Sequence, residues 1–176
     1  MSQEQIRESI EAARRYLADH PDEARSKDRS ATAVLEEGLR CRVEGPDGAT
    51  VVSDMPTAVG GAASAPTPGW LARAALASCD ATVIALRAAE LGIHLERLEV
   101  TVDSESDDRG LLGVGDAPPG PLGVRVRVRL RAKDVGDETV RDLLSWVERH
   151  SPVGGIFRHG APTTVEVETA AAATSS

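Results

Sequence analysis

The chain has two thiols, Cys41 and Cys79, in very different surroundings, and Cys79 is the serious candidate for chemistry. Cys79 lies in Ala77-Ser78-Cys79-Asp80-Ala81-Thr82, within a stretch that is otherwise apolar. The thiolate is the reactive form of cysteine, the one that attacks electrophiles. Ser78, Asp80 and Thr82 are costly in an apolar helix unless they face a cavity or a partner. A helical cysteine is also often an inert, small hydrophobe, so both readings of Cys79 stand at this level. Metal chemistry has little support. His20, His94, His150 and His159 lie far apart, with no i,i+4 pair and no Cys-x-x-Cys. Nor is a cofactor implied. Gly110-Leu111-Leu112-Gly113-Val114-Gly115 does not follow a strand and open a helix as a phosphate loop would, and reads as a flexible link.

The element that must position Cys79 is a long helix. Thr67 and Pro68 fit its N-cap and first residue, and Gly92 its stop. Between Leu71 and Leu91 the text is apolar on nearly every side, which predicts a helix buried all round. A small sheet covers one side of such a helix. A second copy of the chain is the simplest cover for the other, so a homodimer is expected.

The remaining elements fall around it. Residues 3–18 read as an amphipathic helix, with a capping box from Ser2 to Gln5 and a stripe of Ile6, Ile10, Ala13 and Leu17. Strand character at 31–36, 39–45 and 50–53 surrounds the turn Gly45-Pro46-Asp47-Gly48. Residues 97–103 and 124–131 alternate, the second with Val124, Val126, Val128 and Leu130 on one face and Arg125, Arg127, Arg129 and Arg131 on the other. That arginine ladder suits cross-strand pairing with acidic residues better than a phosphate site. A helix opening at Asp137 and a last strand at 164–168 complete an α+β domain. Residues 1–30 form a helical arm and linker, 31–168 the domain, and 169–176 a tail expected to be disordered.

Composition excludes several classes of function. A chain of 176 residues with 41% hydrophobic side chains suits one domain, and aromatics at 2% leave the core to Val, Leu, Ile and Ala. A net charge of -8 argues against nucleic-acid and anionic-membrane partners. The N-terminus is charged throughout and lacks the apolar region of a secretory signal. No run approaches the length of a membrane span. A cytoplasmic location is expected, with both cysteines reduced.

Gly60-Gly61, Ala65-Pro66-Thr67-Pro68, Leu71 and Ala74-Ala75-Leu76-Ala77-Ser78-Cys79 together resemble the OsmC/Ohr family of osmotically induced and organic-hydroperoxide-resistance proteins. Ser151-Pro152-Val153 falls where that family has Cys-Pro-Val. The resemblance spans roughly 31–168 and implies an OsmC-like fold: an antiparallel sheet wrapped on a central helix, in an intertwined homodimer. It implies a thiol at the Cys79 position that attacks organic hydroperoxides, a second cysteine that resolves the product, and an Arg and a Glu that assist. Here Ser151 holds the second-cysteine position, and Pro68-Gly69-Trp70-Leu71 offers no acidic residue ahead of the thiol. Arg40 and Arg42 are the candidates for the assisting cation, and their other reading is a solvated strand face. Three functions follow: a one-cysteine thiol peroxidase recycled by an external thiol, a dimer binding a small apolar ligand near Trp70, Ser78, Cys79, Asp80 and Thr82, or a purely structural dimer. Strand alternation also puts Cys41 on an apolar face, from which it could resolve Cys79 if the hairpin reaches it.

Overall fold

A computed structural model describes residues 2–169. Its elements run α1 (Gln3–Asp19), β1 (Thr32–Leu35), β2 (Cys41–Glu44), β3 (Thr50–Ser53), α2 (Pro68–Glu90), β4 (Leu95–Ser106), α3 (Asp108–Leu112), β5 (Pro121–Ala132), α4 (Asp137–His150) and α5 (Pro152–His159). The expected tail, 169–176, lies outside the described residues apart from Thr169.

The spine is α2. Thr67 Oγ1 accepts from the Trp70 N–H at 3.2 Å, capping the first turn. At the other end Gly92 takes φ +67. The Ile93 N–H donates to the Ala88 carbonyl and the Gly92 N–H to the Ala89 carbonyl, the paired bonds of a Schellman stop. The chain reverses there and β4 runs back along the helix. Val83, Ile84, Ala88, Ile93, Leu143 and Val147 form the core, with Leu98, Val100, Val128 and Leu130 of the β4–β5 hairpin packed against it. Burying each of the large side chains contributes about 1.5–3 kcal/mol.

The β4–β5 hairpin pairs Val100 with Val128 and Val102 with Val126 on its inner face. On its outer face Arg129 meets Glu99 at 2.6 Å and Arg127 meets Asp103 at 2.6 Å. Half of the arginine ladder is thus answered by acidic residues across the strand, as the alternation suggested.

Three expectations are corrected. The sheet is divided: β1, β2 and β3 form one antiparallel sheet and β4 and β5 another, and only the second packs broadly on α2. The helix is accordingly covered on one side, with Ala72, Ala75, Ser78, Thr82, Ala85 and Leu86 exposed. Residues 164–168 form no strand. Val165 and Val167 are 82% and 79% exposed, because an alternating segment needs a strand edge beside it and none lies there among the described residues. Length and composition also make α2 apolar enough to cross a bilayer, contrary to the reading that no run comes close; it is the core helix of this fold, a role that passes the same test.

The arm is less separate than its linker suggested. α1 leans on the end of α2, where Gln3 Nε2 donates to the Ile93 carbonyl and Arg14 pairs with Glu90. Tyr16 and Leu17, further along α1, remain exposed.

Candidate functional site

Cys79 lies at the middle of α2, half-buried against the core. Its neighbour is supplied by the junction of α4 and α5. The amphipathic α4 buries Leu143 and Val147 beside Ile84, and Arg87 of α2 sits 4.9 Å above the Trp146 ring centroid. Those contacts fix where α4 ends. Ser151 then adopts an extended backbone, φ -78 and ψ 113, as a residue ahead of proline prefers. Its N–H closes α4 by donating to the Val147 carbonyl at 2.9 Å, and its Oγ opens α5 by accepting from the Gly154 N–H at 3.0 Å. Pro152 occupies the first helical position, where a missing N–H costs nothing.

Ser151 is 4% exposed, and its Oγ lies 3.5 Å from Cys79 Sγ. Two residues 72 apart in sequence therefore meet side chain to side chain. α5 itself was not anticipated, although Ser151-Pro152 is the signal that marks its start.

The other candidate residues fall in different places. Asp80 is buried at 7% exposure, and its Oδ1 has no hydrogen-bond partner among the described residues. Ser78 and Thr82 point the opposite way and are exposed, and Trp70 is 49% exposed at the start of α2. These residues do not line one pocket with Asp80, because the helix turns them onto the open face and Asp80 onto the inward one.

Arg40 and Arg42 are not brought to Cys79 within the chain. Arg40 donates to Glu36 at 3.3 Å and to Ser64 Oγ at 2.8 Å, and Arg42 donates to Glu36 at 2.8 Å and pairs with Glu44. Arg42 belongs to β2 and Arg40 lies just ahead of it, and Cys41 between them is paired with Leu35 on β1 and Ser53 on β3. One apolar face of that sheet carries Ala33, Leu35, Cys41, Val43 and Val51 in register, and Leu35 and Val51 are exposed.

Sequence reasoning also missed Asp54. This residue is 1% exposed and anchors the loop into α2 by accepting from the Met55 N–H at 2.7 Å, the Ser64 N–H at 2.9 Å and Ser64 Oγ at 2.8 Å. The Ser64 backbone and hydroxyl bonds hold its carboxyl down at about 2. Gly61 lets this loop close, since a β-carbon there would collide with the Met55 carbonyl. The only local sign of this arrangement was the small-residue run from Gly60 to Ser64.

A helical thiol against a helix-capping hydroxyl, on an antiparallel hairpin and a long spine helix, can be compared with known proteins. The family model described as OsmC-like protein matches residues 61–166. No curated relative matches the sequence. Among solved structures, the OsmC-like protein of Mycoplasma pneumoniae is 15% identical, with a TM-score of 0.64 over 77% of this chain and 90% of its own. An organic hydroperoxide resistance protein from Legionella pneumophila is 20% identical, with a TM-score of 0.57 over 77% and 93%. Another, from Elizabethkingia anophelis with thiocyanate bound, is 20% identical, with a TM-score of 0.57 over 77% and 91%. The matched segment is more than half of the chain, and this chain belongs to the OsmC-like protein family.

Proposed function

We propose that the protein is a cytoplasmic, homodimeric stress-response protein in which Cys79 reduces organic hydroperoxides and an external thiol restores it. The observation that carries the reading is the 3.5 Å approach of Cys79 Sγ to Ser151 Oγ. It sets the candidate thiol against a polar group, half-buried and outside the sealed core. The Cys79 thiolate attacks the outer oxygen of the hydroperoxide; the S–O bond forms as the O–O bond breaks. The released alkoxide takes up a proton and leaves as an alcohol. Sulfur is oxidised by two electrons and the peroxide is reduced by two. Ser151, an alcohol, forms no disulfide with the resulting sulfenic acid. A small thiol therefore attacks it, releasing water, and a second thiol frees Cys79 from the mixed disulfide.

The open face of α2 and the open apolar face of the β1–β3 sheet both support a homodimer. That sheet carries Arg42, with Arg40 just ahead of β2, so a second copy is the route by which they would reach a thiol. The exposed Trp70 favours a second reading, in which a dimer holds a small apolar ligand near Trp70 and Cys79 without chemistry. Consumption of tert-butyl hydroperoxide in the presence of dithiothreitol separates the two. The peroxidase reading requires turnover that Cys79→Ser abolishes and Cys41→Ser leaves intact. Turnover indifferent to Cys79→Ser refutes it.

A further inference from the structure

Arg158 is a cation that lies close to the candidate thiol's neighbour within the same chain. A β-carbon built on Gly154 would fall 2.5 Å from Arg158 Nη2 and 2.8 Å from Ser151 Oγ. The guanidinium and the hydroxyl thus face each other across the space one methyl group would fill, and Gly154, which is buried, leaves that space free. The guanidinium is held there by donating to the Glu148 carbonyl in the last turn of α4.

The direction of the Ser151 hydroxyl follows from its partners. Its oxygen accepts from the Gly154 N–H at 3.0 Å, and Cys79 Sγ lies 3.5 Å away. An anionic sulfur has no proton to give, so against it the hydroxyl must be the donor. The N-terminus of α5 behind Ser151 and the guanidinium beside it add positive potential of the same sense.

We infer that α5 carries the groups that support an anionic sulfur at Cys79, with Ser151 the donor in contact with it and Arg158 a positioning residue that acts through Ser151 and its charge. This rests on the peroxidase reading for its purpose. The serine at the second-cysteine position then has a role of its own: it exchanges a resolving thiol for a hydrogen-bond donor. Gly154 is required because any side chain there displaces both groups.

Alkylation tests this without peroxide. In a Cys41→Ser background, Cys79 displaces iodide from neutral iodoacetamide or from anionic iodoacetate at pH 7, and intact mass gives both rates. Ser151→Ala should slow both reagents about tenfold, the scale of losing a hydrogen bond to a charged group. Arg158→Gln should lower the iodoacetate-to-iodoacetamide ratio about threefold or more, and Arg158→Lys should restore it. A helix-joining role for Arg158 would not move that ratio. Gly154→Ala should reproduce both losses. The inference is overturned if Ser151→Ala, folded by near-ultraviolet dichroism, reacts within twofold of the parent. An unchanged ratio in Arg158→Gln overturns the part assigned to Arg158, and this variant serves as the test if Ser151→Ala does not fold. Neither reagent is an oxidant. An absence of hydroperoxide turnover with these patterns intact would therefore remove the peroxidase reading alone.

Discussion

Replacing Ser151 by cysteine should convert the chain into a protein that closes its own disulfide. The wild-type Oγ is already 3.5 Å from Cys79 Sγ, so a sulfur in its place needs to move by roughly 1.5 Å to reach the bonding distance of about 2.05 Å. A rotation at one or both side chains supplies a shift of that size. The energetic consequences oppose each other. In the reduced variant a hydroxyl cap on α5 is lost, which costs about 1 kcal/mol. In the oxidised variant the loop closed between positions 72 apart restricts the unfolded chain by about 4 kcal/mol in the chain-entropy model, less whatever strain the bridge stores. The oxidised form should therefore melt above the reduced form by as much as roughly 10 °C for a chain of this length. Ser151→Cys, with Cys41→Ser present to remove the other thiol, is treated with one equivalent of tert-butyl hydroperoxide. The product should show a mass loss of about 2 Da and a peptide cross-linked between Cys79 and the introduced thiol. A folded Ser151→Cys protein that instead accumulates sulfinic acid at Cys79, with both thiol positions unlinked, would refute the placement of α5 against α2.

Three other outcomes follow from the same structure. Asp54, whose carboxyl is held at about 2 by Ser64 against an ordinary value of 3.8, takes up a proton more readily unfolded than folded. Its contribution to stability is complete above about pH 4 and is lost as pH falls towards 2, so thermal melts across this window should fall more steeply for the wild type than for Asp54→Asn. Sedimentation should give twice the chain mass of 18.5 kDa, and Leu86→Glu on the open face of α2 should yield monomer; a wild-type monomer at micromolar concentration would remove the dimer. Leu143→Ala, in the contact that fixes α4 on α2, should cost about 2–5 kcal/mol in urea unfolding and disturb Cys79 reactivity as well, since α4 sets the position of Ser151.

The parts of the fold legible in the sequence were those fixed by local signals. Thr67, Pro68 and Gly92 mark the ends of α2 because caps and stops act within one turn, and the alternation from Val124 to Arg131 marks β5 because successive side chains take opposite faces. The same alternation at 164–168 misled, since Val165 and Val167 describe a strand only beside another strand. α5 was hidden by Gly154 and Gly155, poor helix formers on their own, which are tolerated here by a Ser-Pro start and by packing on α2. Asp54 carried no local mark because two of its three bonds come from Ser64, ten residues on. The meeting of Cys79 and Ser151 depends on α2, α4 and α5 together, and periodicity contains nothing of it; the family resemblance alone linked the two positions. Arg158 escaped both routes, because its place is set by the absence of a β-carbon at Gly154.

The central claim is that Cys79 is a reacting thiol held against Ser151, and intact mass spectrometry after hydroperoxide treatment tests it most directly. Without added thiol, the folded wild type should gain one oxygen, about 16 Da, at Cys79, and excess peroxide should carry it on to the dioxygenated form, because Ser151 provides no thiol to trap the intermediate. Dithiothreitol added before the excess should return the original mass. A Cys79 that remains an unmodified thiol in folded protein under the same treatment would contradict the account and leave a dimer without peroxide chemistry.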